Sequence, residues 1–222
     1  MNPDSRHAGS GVFISLEGGE GSGKSTLMGH LRKFLESEGY EVCETREPGG
    51  PPIAERIREI LLDPECRAMD ARTELFLYLA SRRQNVVEEI RPTLKQGGAV
   101  LCDRFLDASV AYQGGGRQLG FELVDRLNGV AVEDTFPDLT LLLDLDPGLG
   151  LARGPGVSDE NREKGDRIER EGSGFHRRVR QAYLDAAQRS PERFVLLDAT
   201  EPEEKVAEAA LAALRNLLAR KP

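Results

Sequence analysis

The chain has no tryptophan, only three cysteines among 222 residues, and 5% aromatic side chains in all. No stretch approaches the ~20 consecutive apolar residues of a membrane-spanning helix. Positive charge is not in excess either, since the net charge is −8. Each absence removes a class of function. An acidic, aromatic-poor chain does not suit a nucleic-acid backbone, which is gripped by basic patches. Cys43, Cys66 and Cys102 are an odd number without metal-ligand spacing. They read as buried free thiols of a cytoplasmic protein, not as a disulfide framework or a zinc site. The opening MNPDSRHAGS is polar and lacks the apolar core of a secretory signal. It reads as a disordered tail over 1–10, ahead of a single domain over 11–222.

What is present is ample apolar material, 39% of the residues, in two alternating patterns. Short apolar runs rich in β-formers predict strands at 12–17, 41–45, 99–103, 139–146 and 193–199. Apolar residues recurring every three or four positions predict helices over 24–37, 53–62, 71–96, near 106–112 and 121–131, and over about 203–219. Leu27, Leu31, Phe34 and Leu35 form the stripe of the first helix, and Gly39 ends it. The long helix is stopped by Gly97-Gly98 and bent near its end by Pro92, while Gly114–Gly116 read as a turn only. Uniformly apolar strands alternating with helices belong to a parallel sheet covered on both faces.

One stretch demands a different explanation. GGEGSGKST, Gly18–Thr26, places four glycines in six residues between the first strand and the first helix. It fits G-x-x-x-x-G-K-[ST] as Gly18, Gly23, Lys24 and Ser25, the loop that wraps a polyphosphate in backbone N–H groups. Gly19, Glu20, Gly21, Ser22 and Thr26 complete the ATP-binding stretch. Lys24 would reach the β- and γ-phosphates, and the Ser25 hydroxyl would hold Mg²⁺. Average residue usage gives a chance match in roughly one chain of this length in a hundred, and the strand–loop–helix context makes chance rarer still. The expected fold is therefore α/β: a three-layer P-loop NTPase fold with a five-stranded parallel sheet flanked by helices and a mobile lid.

A nucleotide switch and a kinase share this loop. A guanine-nucleotide switch would show Asn-Lys-x-Asp and Asp-x-x-Gly, and neither is found. A kinase requires a second anion site built from scattered arginines, and a lid. Arg46, in TREPGG, follows the second strand at the carboxyl edge where open α/β sheets bind ligands, and a guanidinium fork suits phosphate. Asp103-Arg104 ends the third strand; a carboxylate there can hold Mg²⁺ or its water, and an arginine can bridge donor and acceptor phosphates. Tyr78 and Arg82 are four apart, hence on one helix face. The segment 153–167 is nearly devoid of apolar residues and carries Arg153, Arg162 and Arg167, which suits a lid.

From Val12 to about Leu218 the chain resembles the bacterial thymidylate kinases. The likeness rests on FISLEGGEGSGKST, TREPGG, ELFLYLASRRQ, CDRFLDASVAYQGGGR and DRIE with a following Phe-His, in that order. The resemblance implies transfer of the ATP γ-phosphate to dTMP, with Mg²⁺, in a homodimer. It makes Arg46 a ligand of the dTMP phosphate and sets Asp103 and Arg104 at the active centre. Tyr78 would stack on thymine, where most relatives carry Phe, and Arg82, or else Arg83, would hydrogen-bond the base. Ser109, Tyr112 and Gln113 would line the base and deoxyribose, with Tyr112 filling the space of a 2′-hydroxyl. Glu20 would accept from the 3′-hydroxyl. The loop has no basic residue before Lys24, so the lid would supply the catalytic charge through Arg153 and Arg162, with Arg167 held in a structural ion pair. Glu47 is expected to organise its loop. Another nucleoside monophosphate kinase is the near alternative, and a P-loop ATPase switch the distant one.

Overall fold

The computed structural model describes residues 11–153 and 165–221. Its centre is a five-stranded, wholly parallel sheet in the order β2-β3-β1-β4-β5, formed by β1 (Val12–Gly18), β2 (Val42–Arg46), β3 (Ala99–Asp103), β4 (Leu139–Asp144) and β5 (Phe194–Asp198). Every residue of β1 is buried, as a central strand covered on both faces requires. Helix α1 (Lys24–Ser37) lays Leu27, Leu31 and Leu35 on one face of the sheet beside Ala210 and Leu214 of α9 (Glu203–Leu218). Each such buried leucine stabilises the fold by roughly 2 kcal/mol. On the opposite face Phe13, Val100 and Phe105 pack with Val86 and Ile90 of the long helical segment. Among the described residues no helix is long and apolar enough to cross a membrane.

Helix α2 (Pro52–Leu62) precedes that long segment, which is not α-helical throughout. It starts as α3 (Ala71–Asn85), capped by the Asp70 carboxylate on the N–H groups of Arg72 and Thr73. It widens to π-helical turns over Val86–Ile90 and closes as α4 (Arg91–Lys95). Pro92 gives the reason: it has no N–H, and its ring crowds the carbonyl four residues back, so the ladder shifts to wider bonds such as Arg91 N–H to the Val86 carbonyl. Helix α5 (Leu106–Ser109) likewise runs into π-helical turns over Val110–Gly116. Gly114–Gly116 are thus helical and not a turn. A Cβ on Gly115 would collide with Ala182, so glycine is what lets this segment press against its neighbour.

That neighbour is α8 (Ser173–Arg189), which follows α6 (Phe121–Val132) and the short α7 (Pro147–Arg153). The sequence reading foresaw neither α7 nor α8. In α8 the buried set Phe175, Val179, Ala182, Tyr183 and Ala186 keeps helical spacing, interrupted by four arginines over 177–189 that mask it. Of the three cysteines, all free, only Cys102 is buried; Cys43 and Cys66 are partly exposed. The expected lid lies mostly at 154–164, outside the described residues, with Arg153 ending α7 and Arg167 anchored in the body.

Candidate active site

The P-loop leaves β1 at the carboxyl edge of the sheet, flanked by the ends of β3 and β4, the neighbours between which the chain reverses its direction of progress. Gly18, Gly21 and Gly23 have φ of 136°, 66° and 92°, conformations that side chains resist. A Cβ on Gly21 would also run into the Gly150 carbonyl of α7. Lys24 turns back into the loop, its Nζ donating to the carbonyls of Gly19 at 2.9 Å and Gly18 at 3.3 Å. Burial, reinforced by the charge of Arg104, lowers its ammonium to about 8, so a polyanion in the loop would restore full protonation. Ser25 and Thr26 are exposed at the start of α1.

Beside the loop lies a cavity of about 270 Å³. The structure brings eight of the sequence-predicted residues to its wall: Glu20, Tyr78, Arg82, Asp103, Arg104, Ser109, Tyr112 and Gln113. They come from the P-loop, α3, the end of β3, and α5 with its π-helical continuation.

Arg82 is fully buried, and its guanidinium is held on four sides. Nε donates to Glu47 at 2.6 Å, Nη1 to Asn128 at 2.7 Å and Ser109 at 3.0 Å, and Nη2 to the Phe105 carbonyl at 3.0 Å. Of its five N–H groups, one on Nη2 is left. Glu47 therefore does more than organise its loop: it orients Arg82. Burial raises the Glu47 carboxyl above its ordinary value against the pull of Arg82. Arg83 points elsewhere, to the Ala131 carbonyl and Glu133, which removes it as the alternative. Gln113 donates Nε2 to the buried Glu74 at 2.8 Å, leaving its carbonyl oxygen as an acceptor.

Arg104 has φ of 68°, a left-handed turn that swings it off the strand line. Its guanidinium lies 5.9 Å from the Tyr112 ring centroid and 3.8 Å from both the Glu20 and Asp103 carboxylates. Asp103 Oδ1 is buried without a hydrogen-bond partner. This carboxylate and the exposed Ser25 hydroxyl are oxygen donors of the kind Mg²⁺ takes, an ion that uses one or two protein oxygens and completes its shell with water and phosphate. Among the described residues there is no cluster of three or more His, Cys, Asp or Glu side chains that could hold a metal ion.

Two residues stand differently from their expected places. Arg46 does not line the cavity; it is exposed and forms a forked ion pair with Glu55, at 3.1 Å in its shorter arm. Glu55 stands nine residues on, in the first turn of α2, close enough to draw the guanidinium aside. In its stead Arg58 of α2 reaches the cavity wall, fixed by a 2.7 Å bond to the Pro48 carbonyl. Burial, then crowding by Arg46, shifts the Arg58 guanidinium below its ordinary value, and Arg104 adds to the crowding. Three guanidiniums that repel one another mark a place for an anion. Sequence reasoning missed Arg58, yet a signal existed: it shares the inward stripe of Ala54 and Leu61.

Arg153 lies apart from this cavity. It bonds the Ala199 carbonyl at 2.8 Å and lines a second hollow of about 270 Å³ with Ser22, Gly23, Thr26 and His30, at the outer side of the P-loop. Arg162 is outside the described residues. Arg167 forms the expected ion pair: it donates to Glu74 at 2.5 Å and to the Leu61 carbonyl at 2.8 Å. Its neighbours Asp166, Ile168 and Glu169 line the first cavity.

Comparison with known proteins agrees with this geometry. The family profile described as thymidylate kinase matches residues 16–210. A thymidylate kinase of Bacillus velezensis is 46% identical over 209 residues, covering 94% of this chain and 97% of its own. One from Pseudomonas putida is 48% identical, with 94% and 99% covered. A crystal structure of thymidylate kinase from Ehrlichia chaffeensis superposes with a TM-score of 0.72 at 32% identity, covering 92% of this chain and 98% of that one.

Proposed function

This chain belongs to the thymidylate kinase family, and from that premise we propose that it transfers the γ-phosphate of ATP to dTMP, giving dTDP and ADP. The observation that carries the reading is the position of Arg104. It stands between the P-loop and a cavity walled by Tyr78, Arg82 and Gln113, where one guanidinium can touch both donor and acceptor phosphates.

The acceptor phosphate meets Arg58 and Arg104, with Arg46 within reach once Glu55 releases it. The base lies against Tyr78. A thymine offers O4 as acceptor and N3–H as donor. The remaining Arg82 N–H and the Gln113 oxygen match that pair, and the fixed Glu47, Asn128 and Glu74 prevent either from turning round. Cytosine reverses both polarities, so it leaves two buried groups unpaired, which discriminates strongly. Tyr112 closes the space a ribose 2′-hydroxyl would need, and Glu20 accepts from the 3′-hydroxyl.

In the transfer itself, an oxygen of the dTMP phosphate forms a bond to Pγ as the bond from Pγ to the β-phosphate oxygen breaks. The acceptor is already an anion, so no general base is required. The site aligns the two reactants and neutralises charge on the moving group. Lys24 and Arg104 supply that charge, together with Arg162 and Mg²⁺ held by Ser25 and Asp103; the metal's contribution is to neutralise phosphate oxygens. Arg153, beside the outer hollow, fits the nucleoside end of ATP better than the γ-phosphate. The free thiols support a cytoplasmic enzyme, and the exposed apolar side chains of α2, α3 and α6 support a homodimer.

The test is a coupled assay with ATP, Mg²⁺ and a panel of dTMP, dUMP, dCMP and dGMP. Preferred turnover of dTMP, lost in Lys24→Ala, is the expected result. Equal turnover of dCMP would overturn the base reading, and no turnover with any acceptor would overturn the kinase reading.

A further inference from the structure

Glu17 takes no part in the chemistry above. It is wholly buried near the end of β1, and both its oxygens are engaged. Oε1 accepts the Phe105 backbone N–H at 2.7 Å, and Oε2 accepts the Tyr183 hydroxyl at 2.7 Å. The two donors lead to the same destination. Phe105 directly follows Arg104, whose left-handed backbone persists only where its surroundings over-determine it. The Arg104 N–H is fixed to the Leu16 carbonyl at 2.9 Å, and Glu17 fixes the next N–H. Tyr183 meets Tyr112 edge-on at 6.2 Å, and Tyr112 is the ring beneath the Arg104 guanidinium. An apolar residue at 17 would leave the Phe105 N–H and the Tyr183 hydroxyl buried and unpaired.

We infer that Glu17 is the positioning residue for Arg104, clamping its backbone turn from below and its aromatic seat from behind. This rests on the reading of Arg104 as the group that bridges the two phosphates. A carboxyl that merely filled the core would stabilise the fold without acting through Arg104, and the two roles are separable.

The experiment places Glu17→Ala, Glu17→Gln and Tyr183→Phe in the wild-type and in the Arg104→Lys background, and measures kcat and KM for dTMP in each. Misplacing a catalytic group by about an ångström costs roughly 100-fold, so Glu17→Ala lowers kcat by that order. Glu17→Gln retains most of the activity, because its amide oxygen still accepts from Phe105 and its NH₂ donates to the Tyr183 oxygen. In the Arg104→Lys background the further loss from Glu17→Ala or Tyr183→Phe shrinks to a few-fold, since the group they position is gone. Near-UV circular dichroism gives an independent readout. With no tryptophan and four tyrosines, three of them at the site as Tyr78, Tyr112 and Tyr183, that band reports the aromatic seat. Glu17→Ala changes it while the far-UV spectrum stays constant. Equal losses in both backgrounds, or a Glu17→Gln variant as impaired as Glu17→Ala, overturn the inference. Should Glu17→Ala fail to fold, Tyr183→Phe decides by the same criterion. A wild type inactive on dTMP would refute the proposed function, whereas an active one with additive losses refutes only the role of Glu17.

Discussion

Arginine recurs around this cavity, and its neighbours decide which arginine is left to meet a ligand. Arg82 is immobilised by Glu47, Ser109, Asn128 and the Phe105 carbonyl; Arg46 is held off by Glu55; Arg58 and Arg104 remain to meet an anion. Arg58→Ala should therefore raise KM for dTMP by ten-fold or more, at about 1.5–3 kcal/mol for a hydrogen bond to a charged group, and leave KM for ATP nearly unchanged. Steady-state kinetics with each substrate varied would check this, and an unchanged KM for dTMP would remove Arg58 from the site. Glu17 makes a second prediction through its proton. Burial, then the neighbouring Asp107, raises its carboxyl from 4.5 to about 8. Between those values the folded chain holds a proton that the unfolded chain releases, and the protonated Oε2 donates to the Tyr183 oxygen where the carboxylate would accept, so the Glu17 share of stability is complete below 4.5 and is lost as pH rises toward 8. The slope is about 1.4 kcal/mol per pH unit at most. Glu17→Gln cannot titrate. Its Tm relative to wild type should climb from pH 5 to 8 and then level off, and a flat difference would mean that Glu17 is ionised throughout.

At the scale of elements, the apolar runs made the strands legible, and GGEGSGKST made their first connection legible. Tyr78 with Arg82, and Ser109 with Tyr112 and Gln113, reach one cavity wall because helical spacing puts each set on one face. What escaped reading depends on contacts between distant segments. Arg46 and Arg58 are both arginines near the carboxyl edge, and it is the folded position of Glu55 that draws the first aside. The wider turns of the long helix follow from Pro92, but where the register shifts is set by packing. Helix α8 was hidden because four arginines are interleaved with its inward apolar residues, though Arg178 and Arg180 are themselves tied to the Gly116 carbonyl and Asp144. A buried network joins these elements. Glu74 of α3 accepts from Gln113, Arg117 and Arg167 at 2.5–3.2 Å, and Arg117 also meets Glu171. The ion pairs keep the Glu74 carboxyl below its ordinary value despite burial. Glu74→Ala would leave two guanidiniums without their shared partner, at a cost of about 3–5 kcal/mol. It would also release Gln113 and the segment around Asp166. Chemical denaturation should show that loss, and dTMP binding should weaken beyond what Gln113→Ala alone causes. Equal effects of the two variants on binding would confine the network to stability.

For the whole molecule, the question is what covers the outer helices. Helices α2 and α6 flank α3, and each of the three exposes a large apolar side chain. Ile60 on α2, Phe76 on α3 and Val130 on α6 are 48%, 57% and 72% exposed. Val87, where the long segment widens to π-helical turns, is exposed as well. Apolar groups ranged over adjacent helices suit a self-complementary contact, in which each patch meets its own copy. Phe76 is a sensitive probe because it faces away from Tyr78 and Arg82, on the outer side of the helix that carries them. Phe76→Glu costs the isolated chain little, since the position is open to water. At a two-fold contact it sets two carboxylates into an apolar seam, where unpaired charge is severely penalised. Sedimentation should find wild type at about twice the 24.4 kDa chain mass and the variant at the chain mass. Because the same helix carries Tyr78 and Arg82 to the cavity wall, the monomer should also show KM for dTMP raised more than KM for ATP. A monomeric wild type, or a variant that keeps the dimer mass, would move the contact off this face.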